Sequence, residues 1–378
     1  MTYIAGIRRN GCVFLVADSA TTQTGTWPRT GNEQVTTSFG ETQIFDSGRA
    51  VQESALKIHH LGNVAIAVAG DAVQANQFVA HVREQVDRYV LPRPAVVHTA
   101  DTFAARGDLS CQAIVAIVEQ PRPALLSFNI ARGALVEHDE PGFTVQAGTQ
   151  TPFEAELFAR VLGLLDSRLP PEDPAAYLVS AVAWLQSMGV RSSLLNRGIG
   201  GAFYGLYANR DCITWQPDVA FGVHHRMTSP TMPVIAIVRD NVLVLRSGVD
   251  EASRALWSST SARVTVPEWY ARWRSFDDLV MGSDVRFIVL IDSIDWRVAV
   301  FELGVGGTSK WVRLEKPTRR ADTRLQIVVD FAPEVRASLS QPVPSAKSPL
   351  GTRICFAWAP CDGDPRIVSF DVTSAVGA

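Results

Sequence analysis

The order of apolar segments predicts an α+β fold. Two central sheets are flanked by helical layers, an αββα arrangement in four layers, and a second, β-rich unit follows. Three observations carry this reading. Over roughly the first 225 residues, strand-like runs and helical periodicity alternate as strands, helix, strands, two helices, strands. A chain that sets helices between strand pairs must cover its sheets from outside. From about residue 232 the pattern becomes almost wholly strand-like. Finally, 378 residues exceed a usual single domain, so two domains are expected, 1–225 and 232–378.

The first element is a hairpin. Residues 3–7 and 12–17 are apolar runs joined by Arg9-Asn10-Gly11, and Asn-Gly supplies the positive φ angles of a tight turn. Residues 20–50 are rich in Thr, Gly, Ser and Gln and show little periodicity. They read as a long insertion loop, either a solvated surface excursion or a mobile flap. Residues 64–69 form a third strand that ends at Gly70-Asp71. A helix follows with Phe78, Val82, Val86 and Tyr89 on one face, and Pro92 and Pro94 are expected to stop it. Strands 112–118, 124–129 and 143–147 come next, the last ending at Gly148-Thr149.

Two helices are then expected. One begins near Pro152 and buries Phe153, Leu157, Val161 and Leu164; the other buries Leu178, Val182 and Leu185. Gly200-Gly201 leads into a hairpin over 202–208 and 212–215, with Asn209-Arg210-Asp211 at its turn. Beyond 232, strands are expected at 234–238, 242–245, 285–291, 298–303, 325–329 and 353–358. Helices are expected at 251–257 and 267–280.

Composition excludes several classes. Hydrophobic residues make up 47% and charged residues 19%, the profile of a chain with a large core and not of a disordered one. The formal net charge of −3 gives no basis for a nucleic-acid or anionic-membrane partner. No apolar run approaches the roughly 18 residues of a membrane-spanning helix. Arg8 and Arg9 follow the first apolar residues, the reverse of a secretory signal, so a cytoplasmic location is expected. The five cysteines are scattered, and His59-His60 and His224-His225 are adjacent pairs whose members point apart on a strand. No metal or other cofactor is expected.

Chemistry gathers at the start of the chain. Thr2 becomes the first residue if Met1 is removed, and aminopeptidases remove Met before a small residue. Its α-amine would then have an ordinary pKa of roughly 7.7–8.0, so a neutral fraction exists near neutrality. A neutral amine can take the proton of its own side-chain hydroxyl, which makes Thr2 a nucleophile with a built-in base. Asp18-Ser19 closes the second strand, and a hairpin brings its open ends together, so Asp18 is expected beside Thr2; the alternative is a simple turn. Lys57 stands just before the third strand. It is either an exposed surface lysine or a buried partner of Asp18 whose positive field favours the deprotonated forms of Thr2. Gly70 ends that strand at a helix start, where its N–H can stabilise an oxyanion or where glycine simply lets the chain turn.

In this order the residues resemble the proteasome β-type subunits and their bacterial relatives, HslV and the Anbu family. The matched features are Thr2, Asp18-Ser19 after the second strand, Lys57-Ile58 before the third, and Ala69-Gly70-Asp71 at its end. The resemblance covers about residues 2–222. It implies the four-layer αββα sandwich of the N-terminal-nucleophile hydrolases. It also implies Thr2 as nucleophile, Asp18 and Lys57 as charged support, Gly70 as oxyanion donor and Thr149 as a partner of the α-amine. In the family's Asp-x-x-Ser-Gly-Gly segment only Gly200-Gly201 match; Asn196 and Ile199 replace the Asp and Ser. The activity implied is a threonine-type amidohydrolase, a peptidase acting on peptide or protein substrates. The alternatives are a ligase that passes the same acyl-enzyme to an amine, and a non-catalytic scaffold subunit. A homo-oligomeric ring is expected from the resemblance alone.

Overall fold

The structure is a computed structural model. It describes residues 2–24, 34–44, 49–89, 91–106, 110–129, 134–148, 173–192, 194–224, 232–247, 253–257, 284–292, 297–304, 351–359 and 366–373, with shorter stretches within 155–165 and 312–333.

Three sheets carry the described chain. The first has five strands in the order β12 (Thr144–Gly148), β1 (Tyr3–Arg9), β2 (Cys12–Asp18), β13 (Phe203–Ala208) and β14 (Ile213–Trp215). The second, also of five, runs β11 (Ala134–Glu137), β10 (Ala124–Asn129), β9 (Cys111–Ile117), β8 (Val64–Gly70) and β7 (Ile58–Leu61). The third has eight: β18 (Ser253–Trp257), β17 (Val242–Ser247), β16 (Met232–Arg239), β15 (Asp218–His224), β19 (Val285–Asp292), β20 (Arg297–Glu302), β25 (Gly351–Ala359) and β26 (Arg366–Thr373). Four two-stranded ribbons pair β3 (Ala20–Thr24) with β6 (Arg49–Glu53), β4 (Gln34–Thr36) with β5 (Thr42–Ile44), β21 (Val312–Leu314) with β24 (Val329–Phe331), and β22 (Thr318–Arg319) with β23 (Leu325–Gln326).

Strand periodicity explains how the first two sheets stack. On β8, Ala65, Ala67 and Ala69 join the core shared with β1 and β2, whereas Val64, Ile66 and Val68 face the helices. Both faces are apolar because both are covered. The helical cover on the outer face is α1 (Ala72–Arg88) and α2 (Pro92–Ala104), which supply Phe78, Val79, Val82, Val96 and Phe103. Asp71 caps α1 by accepting the Gln74 N–H at 2.9 Å. Pro92 and Pro94, expected to stop a helix, instead start a second one, since proline is at home in the first helical turn.

The expected four-layer αββα sandwich is not the architecture of this chain, which is predominantly β-sheet with few helices. The decisive element is α3 (Pro174–Ser192). Every residue from Ala175 to Gly189 is buried, so this helix has no solvent-facing side along most of its length. It packs on β13 in the first sheet and on β19 and β20 in the eight-stranded sheet. A helix that is apolar all round belongs inside a core and not on its outside. Strand β15 pairs with β16 and, in parallel, with β19, so the eight-stranded sheet includes residues on both sides of the expected boundary at 225–232.

Other expectations shift as well. Of the segment expected to be helical over 251–257, residues 253–257 form strand β18. The 267–280 helix lies outside the described residues. Where it is described, the 20–50 stretch is neither a loop nor a solvated excursion: it forms two ribbons, and Thr37, Ser38 and Phe39 are buried. Phe39 meets Phe221 of β15 edge to face, with centroids 5.2 Å apart. Of the residues assigned to a helix near 152, Val161 is buried in helical backbone, while Phe153, Leu157 and Leu164 lie outside the described side chains.

Candidate active site

The site grows from the β1–β2 hairpin. Asn10 and Gly11 take φ angles of 46° and 74°, which closes the turn and sets the register Ile4 opposite Ala17. That register carries Asp18 to the open end, level with the start of β1. The Tyr3 N–H donates to Asp18 Oδ1 at 2.8 Å. Asp18 is fully buried and Thr2 is 7% exposed.

Lys57 is buried, not a surface lysine, at 5% exposure. Its ammonium donates to the same Asp18 Oδ1 at 2.5 Å. Its backbone is pinned from both stacked sheets. The Lys57 N–H donates to the Tyr204 hydroxyl on β13, as does the Ile58 N–H at 3.2 Å. The Lys57 carbonyl accepts the Val68 N–H of β8 at 3.0 Å. Burial lowers the Lys57 pKa, and the Asp18 carboxylate works against that shift. Burial raises the Tyr204 phenol, so it stays protonated.

Asp18 has a third donor, the Gly200 N–H, at 3.0 Å from Oδ2. Ser19 ties the neighbouring turns together. Its Oγ accepts the Ala202 N–H at 2.7 Å, and its carbonyl accepts Ser54 N–H at 3.1 Å and Ala55 N–H at 3.3 Å. Of the segment 196–201, the structure brings Gly200 and Gly201 to the site; Asn196 is exposed and Ile199 is packed in the core.

Gly148 faces Tyr3 across the β12–β1 pair and has a φ of 114°. A Cβ at this position would stand 1.8 Å from the Thr2 carbonyl oxygen. Gly148→Ala is therefore expected to cost about 3 kcal/mol or more, from backbone strain and overpacking together. Denaturation midpoints check this; an unchanged midpoint would show that the backbone beside Thr2 is not so tightly confined. Thr149 lies outside the described residues.

Gly70 ends β8 opposite Cys111, and it is exposed. The link between its strand end and Thr2 is Gln112. This residue pairs with Ala69, and its Oε1 accepts the Gly148 N–H at 2.9 Å. Thr2 and Gly70 therefore share one end of the stacked sheets. Gln112 is the single strongly polar residue in the otherwise apolar Cys111–Ile117 strand, the sequence signal that marks it.

Two buried carboxylic acids complete the surroundings. Glu41 Oε2 accepts the Gly201 N–H at 3.1 Å and the Thr37 hydroxyl at 3.2 Å. Glu53 Oε2 accepts both the N–H and the hydroxyl of Ser38, at 2.9 and 2.6 Å. Burial, with Glu53 nearby, pushes Glu41 up to about 8. Glu41 falls in the 20–50 stretch without periodicity and Glu53 just beyond it, so no pattern marks either acid as a site residue. Elsewhere, burial lowers His59 to about 3 and keeps it neutral. Among the described residues, no three His, Cys, Asp or Glu side chains converge as metal ligands, and no helix is long and apolar enough to cross a membrane.

The arrangement is a buried lysine–carboxylate pair set at the beginning of a strand, beneath a residue bearing a hydroxyl. Neither a family model nor a curated protein matches the chain.

Proposed function

We propose that the chain is a threonine-type amidohydrolase, a peptidase, with Thr2 as nucleophile once Met1 is removed. One observation carries the reading: Asp18 Oδ1 accepts both the N–H of the residue following Thr2 and the Lys57 ammonium. A buried ion pair at a chain start is costly to build, and it serves here to set the electrostatic field around Thr2. The order of motifs shared with proteasome β-type subunits points the same way.

In the proposed cycle the neutral Thr2 α-amine takes the hydroxyl proton as Oγ1 bonds to the substrate carbonyl carbon. The charge that develops on the carbonyl oxygen is met by a backbone N–H, for which Gly70 is the candidate at the same end of the sheets. The C–N bond then breaks, and the ammonium of Thr2 returns the proton to the leaving amine. Water, deprotonated by the same amine, attacks the ester and releases Thr2 and the carboxylic acid.

The test is labelling with an electrophile selective for an N-terminal threonine, followed by peptide mapping and an intact mass. The expected result is a single adduct on Thr2 of a chain lacking Met1. A retained Met1, or an adduct elsewhere, overturns the proposal.

A further inference from the structure

The Gly200–Gly201 turn is held from two sides by acids. Gly200 N–H donates to Asp18 and Gly201 N–H, one residue on, donates to Glu41. The two amides lie in peptide planes joined at the Gly200 Cα, so holding both restricts the φ (140°) and ψ through which the Gly200 N–H could swing away from Asp18. We propose that Glu41 is a positioning residue for Asp18, acting through this turn, and that it does so as the neutral acid.

The surroundings of Glu41 give the reason. Among the described residues, the charged groups facing it are Glu53, from the end of β6, and Asp18, from the end of β2, both acids. The Lys57 ammonium is bound to Asp18 Oδ1, while the turn holds Oδ2. On the α3 side the neighbour is Gly189, which brings no charge. Among the described residues, Glu41 Oε1 has no hydrogen-bond partner. A proton on Oε1 cancels the charge and leaves Oε2 to accept from Gly201 and Thr37. An ionised Glu41 would be a third carboxylate in a buried cluster. It would be relieved only by admitting water or by moving the 37–41 turn away, and either breaks the bond to Gly201.

The sign of the pH dependence follows. Glu41 has a folded value of about 8 against an ordinary 4.5. Between these values the folded chain holds a proton that the unfolded chain has lost. The contribution to stability is full below the ordinary value and is lost as pH rises through about 8.

The catalytic consequence rests on the Thr2 reading, so two readouts are needed. The first is hydrogen exchange of the peptide spanning residues 198–203, corrected for intrinsic rates and measured from pH 6.5 to 9.5. Wild type is expected to lose protection about tenfold across this range, as one buried hydrogen bond is given up. Glu41→Gln keeps an acceptor for Gly201 without the charge, and its protection should stay level. Glu41→Ala should be poorly protected throughout. The second readout is the rate of Thr2 labelling, which should follow protection in all three chains. Parallel loss of protection in wild type and Glu41→Gln, or full protection in Glu41→Ala, overturns the role of Glu41. The expected protection pattern with no labelling in any chain supports Glu41 and overturns the Thr2 reading instead.

Discussion

A Thr2→Ala chain is expected to lose covalent labelling and amide hydrolysis by a factor on the order of a thousand or more, because the proposed ester forms on the Thr2 hydroxyl. Alanine leaves Met1 removal and the α-amine intact, so the change isolates the hydroxyl. The Tyr3 N–H bond to Asp18 comes from the backbone and also survives. Thr2→Ser should retain a measurable rate, since it keeps the oxygen and loses only a methyl group. Hydrolysis of a panel of fluorogenic peptides, with denaturation midpoints as control, reads both variants. Equal rates in wild type and Thr2→Ala would move the chemistry elsewhere or make the chain a scaffold. An added amine acceptor in the same assay separates hydrolysis from ligation by the products formed.

The second large effect is on stability. Asp18 is fully buried and accepts from Tyr3, Gly200 and Lys57. Removing one member of a buried pair strands the other, at a cost of about 3–5 kcal/mol. Lys57→Met should fall in that range, since the stranded carboxylate keeps two backbone donors. Asp18→Ala should be worse, because it leaves an ammonium and two N–H groups without their acceptor. The double variant Asp18→Ala with Lys57→Met carries no lone charge, so it should lose less than the sum of its singles. Chemical denaturation of the four chains provides the cycle. Additive losses would mean that the two side chains do not sense one another.

The parts legible in the sequence were those set by local rules. Asn10-Gly11 announced the first hairpin, and its geometry placed Asp18 at the start of β1. The 64–69 run announced β8. What stayed hidden depends on partners far along the chain. The α3 sequence shows apolar positions at helical spacing, but spacing cannot say that an eight-stranded sheet will close over its second face. The parallel pairs β15–β19 and β20–β25 leave no turn signature. Pro92 in a sequence signals a helix end, although the same fixed φ suits a beginning. Glu251 and its neighbours looked helical by spacing, but 253–257 is held as a strand by pairing with β17. Glu41 and Glu53 could not be found from pattern at all, since a polar stretch reads as solvated until its acceptors are seen to be occupied.

The enclosed position of α3 has a consequence for how the polypeptide is made. Emerging from the ribosome, α3 has β13 soon at hand, but β19 and β20 are synthesised roughly a hundred residues later. Until then a greasy flank stays open, and a nascent or prematurely stopped chain is a natural client for chaperones.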